Sequence, residues 1–381
     1  MNERTVLEFI RQRGPVSRAQ IARDSGLSKP TVSQALAALE RTGLVREAGR
    51  STGGKGPSAL LYELDATAGW VVGIDVGRAW LRAAIANLTG DIVARRDERA
   101  KARSARSLIE QIGRVAHGLA GEAGLRWRQV TFAVVGSPGV VRPARDQVVL
   151  AHNLPGWGRH GLIEAVQEEL GTKTAFENDV NLATVGEHWK GLGKGVDNFV
   201  YLHVGTGVGL GLVVNGELYR GATGIAGEIA YLPLVADPHH PASRRHGALE
   251  SVLGAKGLLT FARSRGLRSP LSLRTVFSAA RRGDQDAAAV VEVAIRYIAL
   301  AIATVVPVMD PDLVILGGGV GRNGDLLLEP VERELARISP FRPRIDVSAL
   351  KEDAEVTGAV AMALAAAREQ LFERMPREAV S

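Results

Sequence analysis

Two stretches far apart in the chain share one plan, and that plan limits the folds open to it. "WVVGIDVGRAWLRAAIANLTGDIV" (residues 70–93) and "NFVYLHVGTGVGLGLVVNGELY" (198–219) each read as an apolar strand, a glycine turn and a second apolar strand. Each then has another turn, at Gly90 or Gly216, and a third strand. Repetition of this kind marks a duplicated unit. Around both copies, apolar runs alternate with helical stretches, the pattern of an α/β fold. Two such lobes enclose a cleft, where ligand sites concentrate. The chain has 381 residues, too many for one ordinary core, so it holds both lobes and a further module.

Charge locates that module. Residues 1–60 carry ten Lys/Arg against five Asp/Glu, while the remainder is nearly neutral at 37 against 36. A basic head on a neutral body points to a polyanion-binding domain. Its sequence predicts three short helices. The first carries Val6, Leu7, Phe9 and Ile10 and stops before Gly14-Pro15. The second starts at Ser17, with Gln20 positioned for a capping box and Gly26 to end it. The third is capped by Ser28, tolerates Pro30 in its first turn and repeats Val32, Leu36 and Leu39 at helical spacing.

Helix, glycine turn and amphipathic helix make a helix-turn-helix. Lys29, Thr31, Ser33 and Gln34 lie near the start of the third helix, the end that meets base edges in the major groove. Gln34 suits adenine, while Lys29 and Thr31 suit phosphate or base contacts. The strand-like runs of "LVREAGRSTGGKGPSALLYEL" form a wing, with Arg50 and Lys55 over phosphates or a minor groove. A protein-binding helical domain with solvated charges is the competing reading. Cap, turn, polar face, wing and charge together favour DNA.

Other features narrow the classes. Cysteine is absent, which excludes disulfides and thiolate zinc sites. The charged N-terminus does not read as a signal peptide. The longest apolar run, 297–309, is too short to span a bilayer. A cytoplasmic protein with no membrane partner is expected.

The cleft chemistry is legible in part. The first repeat places Asp75 at a strand end before Gly77, as in a phosphate-gripping hairpin, but follows it with Arg78, Ala79 and Trp80. The second keeps Gly205, Thr206, Gly207 and Gly209, whose amides suit an anion; tight turn packing accounts for such glycines equally well. "PDLVILGGGVG" adds Gly317, Gly318 and Gly319. Between the lobes, Glu177-Asn178-Asp179 follows a strand and precedes a helix. Asn178 and Asp179 are either sugar-hydroxyl contacts, with Asp179 a candidate base, or helix caps.

Together these pieces resemble the ROK family of repressors, sugar kinases and uncharacterised relatives. The motifs are "SRAQIARDSGLSKPTVSQALAALERTGLV", "VGSPGVV", "NLPGW", "FENDVNLATVGE", "HVGTGVGLGLVVNGELYRGATGIAGEI" and "LVILGGGV", in family order over nearly the whole chain. The resemblance implies a winged helix-turn-helix (1–65) on an actin-like, hexokinase-like body of duplicated ribonuclease-H-like lobes. The lobes would span 66–186, joined by a C-terminal helix at 357–381, and 187–356. It makes Asn178, Asp179, Glu228, Tyr231 and Glu250 the expected sugar contacts, with Asp179 the base in kinases.

Two departures matter. Arg78 and Ala79 replace a glycine and a threonine of family kinases, and Arg78 and Trp80 are expected to crowd the phosphate loop. The family zinc site of one His and three Cys falls here on Tyr231, Pro241, Ser243 and Ala248, so no structural zinc is expected. His239, His240 and His246 read as a solvated loop. Leu232, Leu234 and Leu249 are the candidate substitute packing.

The resulting expectation is a sugar-controlled transcriptional repressor of carbohydrate genes, without cofactor and without enzymatic activity. It would bind a palindromic double-stranded operator as a homodimer or homotetramer, with a sugar or sugar phosphate in the cleft. The alternatives are an ATP-dependent sugar kinase with a DNA-binding head, and a DNA-binding protein whose body is a ligand-free scaffold.

Overall fold

The computed structural model describes residues 2–51, 58–142, 145–151, 154, 156–234, 237 and 239–373. The head comprises α1 (Asn2–Arg13), β1 (Val16–Ser17), α2 (Arg18–Ser25), α3 (Lys29–Arg41), β2 (Val45–Arg50) and β3 (Leu60–Leu64). Its caps form where the sequence places them, with the box expected at Ser17 and Gln20 present as its Ser17 half. Ser17 Oγ accepts the Gln20 N–H, Ser28 Oγ accepts the Thr31 N–H, and Gly26 ends α2 at φ 72°. Val6, Ile10, Ile21, Val32, Leu36 and Leu39 close the helical core over the buried ring of Tyr62. β2 and β3 pair as the wing, and β1 completes the small sheet.

The first lobe contains β4 (Trp70–Val76), β5 (Trp80–Asn87), β6 (Ile92–Arg99), α4 (Ala105–Glu122) and β7 (Val130–Ser137). It continues through the hairpin β8 (Val140–Arg142) and β9 (Gln147–Val149) to α5 (Leu162–Leu170), β10 (Thr174–Asn178) and α6 (Asp179–Lys190). The second lobe begins with β11 (Phe199–Val204), β12 (Val208–Val214) and β13 (Glu217–Leu218). Five helices follow: α7 (Pro241–His246), α8 (Ala248–Leu253), α9 (Ala255–Ser264), α10 (Leu273–Arg281) and α11 (Gln285–Met309). The lobe ends with β14 (Leu313–Gly317), α12 (Gly318–Gly321), α13 (Gly324–Ile338) and β15 (Arg344–Val347).

The five-stranded sheets run β10-β7-β4-β5-β6 and β13-β12-β11-β14-β15. In each, the first three strands form an antiparallel meander, and the last two join in parallel on the other side of the first. The repeat seen in sequence is therefore a repeat of topology: an α/β fold with a winged head on a duplicated, two-lobed body.

One sequence expectation is corrected. The apolar run 297–309 is only the second half of α11, whose 25 residues are long and apolar enough to cross a membrane. Half of the apolar window is buried, and Val290, Ile298, Ile302 and Val306 pack into the second-lobe core, so α11 serves as the central helix of that lobe. Leu249 is fully buried there, with Leu232 and Leu234 packed against the same cluster.

The last helix, α14 (Ala354–Glu373), returns to the first lobe and packs against α6, β4, β7 and β5. It meets α6 backbone to backbone. A Cβ on Gly358 would lie 1.7 Å from Leu182 O, and one on Gly186 would lie 2.3 Å from Ala354 O. Gly358→Ala is therefore expected to cost about 2–3 kcal/mol, because neither helix can withdraw without opening the core. Gly121→Ala on α4 has open space and should instead stabilise by less than about 1 kcal/mol. Chemical denaturation of both variants checks the contrast.

Candidate functional site

β10 turns directly into α6, and Asn178 is the N-cap. Its Oδ1 accepts the Asn181 N–H at 3.0 Å, and its Nδ2 donates to Gly139 O at 3.0 Å. Glu177 braces the turn from beneath, accepting the Asn178 N–H at 2.9 Å, Asn181 Nδ2 at 2.9 Å and Arg220 Nε at 2.7 Å. Asn178 thus does the work of a cap, with one amide hydrogen and one Oδ1 lone pair left for anything else.

Asp179 differs. Its Oδ1 accepts the Val180 N–H at 2.9 Å, and no ion pair holds it among the described residues. Burial pushes its carboxyl above the usual range, and the Val180 N–H pulls part of the way back. Across the cleft, burial pushes Glu228 up to about 7, with Asp179 and Glu250 adding to the shift. Glu250 is also raised by burial, offset by the Val208 N–H it accepts at 3.1 Å. Burial and both glutamates raise Tyr231. The fold thus gathers Asp179 from the first lobe and Glu228, Tyr231 and Glu250 from the second within electrostatic reach. Glu250 also fills the second glycine turn, where a Cβ on Gly207 would lie 2.8 Å from its Oε2.

The first-lobe hairpin joins β4 to β5. Arg78 and Ala79 are exposed at the turn, and Trp80 lies under the Arg99 guanidinium at 4.7 Å. The cation that meets Asp75 is Arg82, its cross-strand partner on β5, with Nη1 3.1 Å from Asp75 Oδ2. Burial pushes Asp75 up, and Arg82 pulls it back.

Beside them stands Glu355 in the first turn of α14, pushed well up by burial and then by Asp75. His203 Nδ1 lies 4.0 Å from Glu355 Oε1. Burial pushes His203 down to about 4, so its imidazole brings no charge to this contact at neutral pH. Arg82, His203 and Glu355 all escaped the sequence reading. The available signal was an ionisable residue inside an otherwise apolar stretch, as Arg82 is in "WLRAAIA".

On the head, Lys29 and Gln34 are exposed and Thr31 and Ser33 half-buried along the start of α3. Thr31 Oγ1 is 2.7 Å from Ser28 Oγ, so part of its hydroxyl serves the cap. Arg50 is exposed on the wing, with Nη1 donating to Ser58 O at 3.3 Å. Lys55 lies outside the described residues. Among the described residues, no three His, Asp or Glu side chains converge as a metal cluster.

Fold and site together define a class: a winged-helix head carried on a kinase-like body with a carboxylate-lined interlobe cleft. The sequence matches the ROK family over residues 71–366, and the MarR family over residues 2–55. The chain belongs to the ROK family, with the separate N-terminal head found in its transcriptional regulators. It is 28% identical to a putative xylose repressor of Caldicellulosiruptor sp., across 96% of this chain and 95% of that protein. It is 30% identical to a glucokinase of Halalkalibacterium halodurans, across 69% of this chain and 84% of that one. The crystal structure of a ROK family transcriptional regulator, homologous to the E. coli MLC protein, superposes with a TM-score of 0.82, at 20% identity and 98% coverage of both chains.

These relatives overturn the expectation of a chain without enzymatic activity. Its body is as similar in sequence to a glucokinase as the whole chain is to a repressor, so enzyme function is not excluded by descent.

The buried acids have a measurable consequence. A carboxyl raised in the folded state holds its proton more tightly than in the unfolded chain, so its stabilising contribution is lost as pH rises through the folded-state value. Glu355→Gln removes the largest such group from the floor of the cleft. The melting temperature of the wild type should fall by several degrees from about pH 5 to 9, and that of Glu355→Gln should fall distinctly less.

Proposed function

We propose that this chain is a sugar-responsive DNA-binding repressor of carbohydrate genes. The observation that carries the reading is the pairing of an exposed α3 face with a body related, head included, to a xylose repressor over almost its full length. Lys29, Thr31, Ser33 and Gln34 enter the major groove, and Arg50 and Lys55 on the wing hold phosphates. Two heads of a homo-oligomer meet a palindromic operator.

The ligand is a neutral aldose such as xylose or glucose. Asp75, Asp179, Glu228, Glu250 and Glu355 crowd the cleft, with Arg82 already committed to Asp75. Carboxyl oxygens accept sugar hydroxyls well, and Arg82 is already committed to Asp75, so a phosphate monoester is left without that counter-charge. Asp179, Glu228, Tyr231 and Glu250 hold the hydroxyls, and Asn178 adds its one remaining amide hydrogen. The sugar acts by favouring one lobe closure, and so one spacing of the heads.

A second reading, ATP-dependent phosphorylation of the same sugar, is favoured by Asp179. It is a raised carboxyl without a cation partner and is suited to take a proton from a hydroxyl. Sugar-dependent consumption of Mg-ATP that is lost in Asp179→Asn would establish it.

DNA selected from a random pool should converge on a palindrome. Gln34→Ala should cost about 1–3 kcal/mol and relax the preference at one base pair per half-site. Lys29→Ala should weaken all sequences alike and lower the salt slope by about one. Calorimetric titration with xylose and glucose should show binding that weakens at least about tenfold in Glu250→Gln, a loss of ~1.4 kcal/mol. Failure of both sugars to bind, or to alter operator affinity, would remove the sensor reading.

A further inference from the structure

Between the head and the body lies a cavity of about 490 Å³ that neither the cleft nor the α3 face uses. One wall is α1 of the head, and the floor is built from α6 and α14 with the apolar surfaces of Trp189, Leu364 and Phe372. Its size falls in the range of small-molecule sites.

The charges lining it do not balance. Arg4 is held by Glu369 at 3.0 Å and Arg11 by Glu8 at 2.7 Å. Arg368 has no carboxylate partner among the described residues. Its Nη2 donates to the backbone carbonyl of Leu88, while its Nε is buried with no hydrogen-bond partner. Burial, and then Arg11, push the guanidinium down to about 10, which leaves it charged at neutral pH. His188 on the same wall is pushed down by burial and adds no second charge. A guanidinium that lines the cavity with no ion-pair partner among the described residues, beside an apolar floor, is the complement of a single anionic head on an apolar body.

We propose that this cavity is a second ligand site, taking a small monoanionic carboxylate with an aromatic or aliphatic body, and that Arg368 is its counter-ion. The occupant touches α1 of the head and α14 of the body at once, so it bridges the head and the body at a site separate from the sugar cleft.

The test is calorimetric titration of the full chain with benzoate, phenylacetate and hexanoate, each beside its uncharged amide. At least one acid should bind tenfold or more tighter than its amide. That preference should vanish in Arg368→Gln and be largely kept in Arg368→Lys, which retains the charge. In the wild type, the same acid should shift the indole N–H resonance of Trp189, a readout that needs no variant to fold. The proposal is overturned if no acid outbinds its amide, if the preference survives Arg368→Gln, or if binding leaves the Trp189 resonance unmoved.

Discussion

Helix α14 is seated where two backbones touch, with Gly358 against Leu182 and Gly186 against Ala354. Nothing but hydrogen fits at either contact, so the crossing has little freedom to slide. The same helix reaches β4, where a Cβ on Gly73 would lie 2.6 Å from Val360 N. Its N-terminal turn delivers Glu355 to the floor of the cleft, and its other end carries Glu369 to Arg4 of the head. A single apolar cluster runs from Val6, Ile10 and Leu36 in the head through Tyr62 and Leu64 to Val356, Ala359 and Val360 of α14. Head, first lobe and the Glu355 end of the cleft are therefore packed on one element.

The cleft is governed by crowded carboxylates. Buried Asp75 is offset by Arg82, whereas Asp179 and Glu250 each accept one backbone N–H, and Glu228 is raised by burial and by both of them. Such a site binds a polyol through its acceptors and is relieved when hydroxyl hydrogens arrive. The neutral His203 beside Glu355 adds no charge that would balance them.

Much of this was legible in the chain. Ser17, Ser28 and Gly26 punctuate the head because capping and left-handed turns are local events, settled within four residues. The duplicated meander was legible because strand alternation and turn glycines are local too, and the repeat alone implied two similar sheets. Asn178 shows where local reading stops. Its residue type fits a cap and a sugar contact equally well, and only the bonds to Asn181 and Gly139 show how much of it the cap consumes.

The sequence by itself determined the head and the repeated meander of the two lobes, because periodicity and capping act over short distances, whereas Glu228 and Glu250 were placed in the cleft by the family resemblance alone. Tertiary structure alone decided that Arg82, not Arg78, meets Asp75, since that pairing depends on the register between β4 and β5. It alone brought Glu355 to His203, 152 positions apart in the sequence, and left Arg368 without an ion-pair partner among the described residues beneath the head. Charge balance is a sum over neighbours in space, and which residues become neighbours is settled only when the lobes and α14 close around one another.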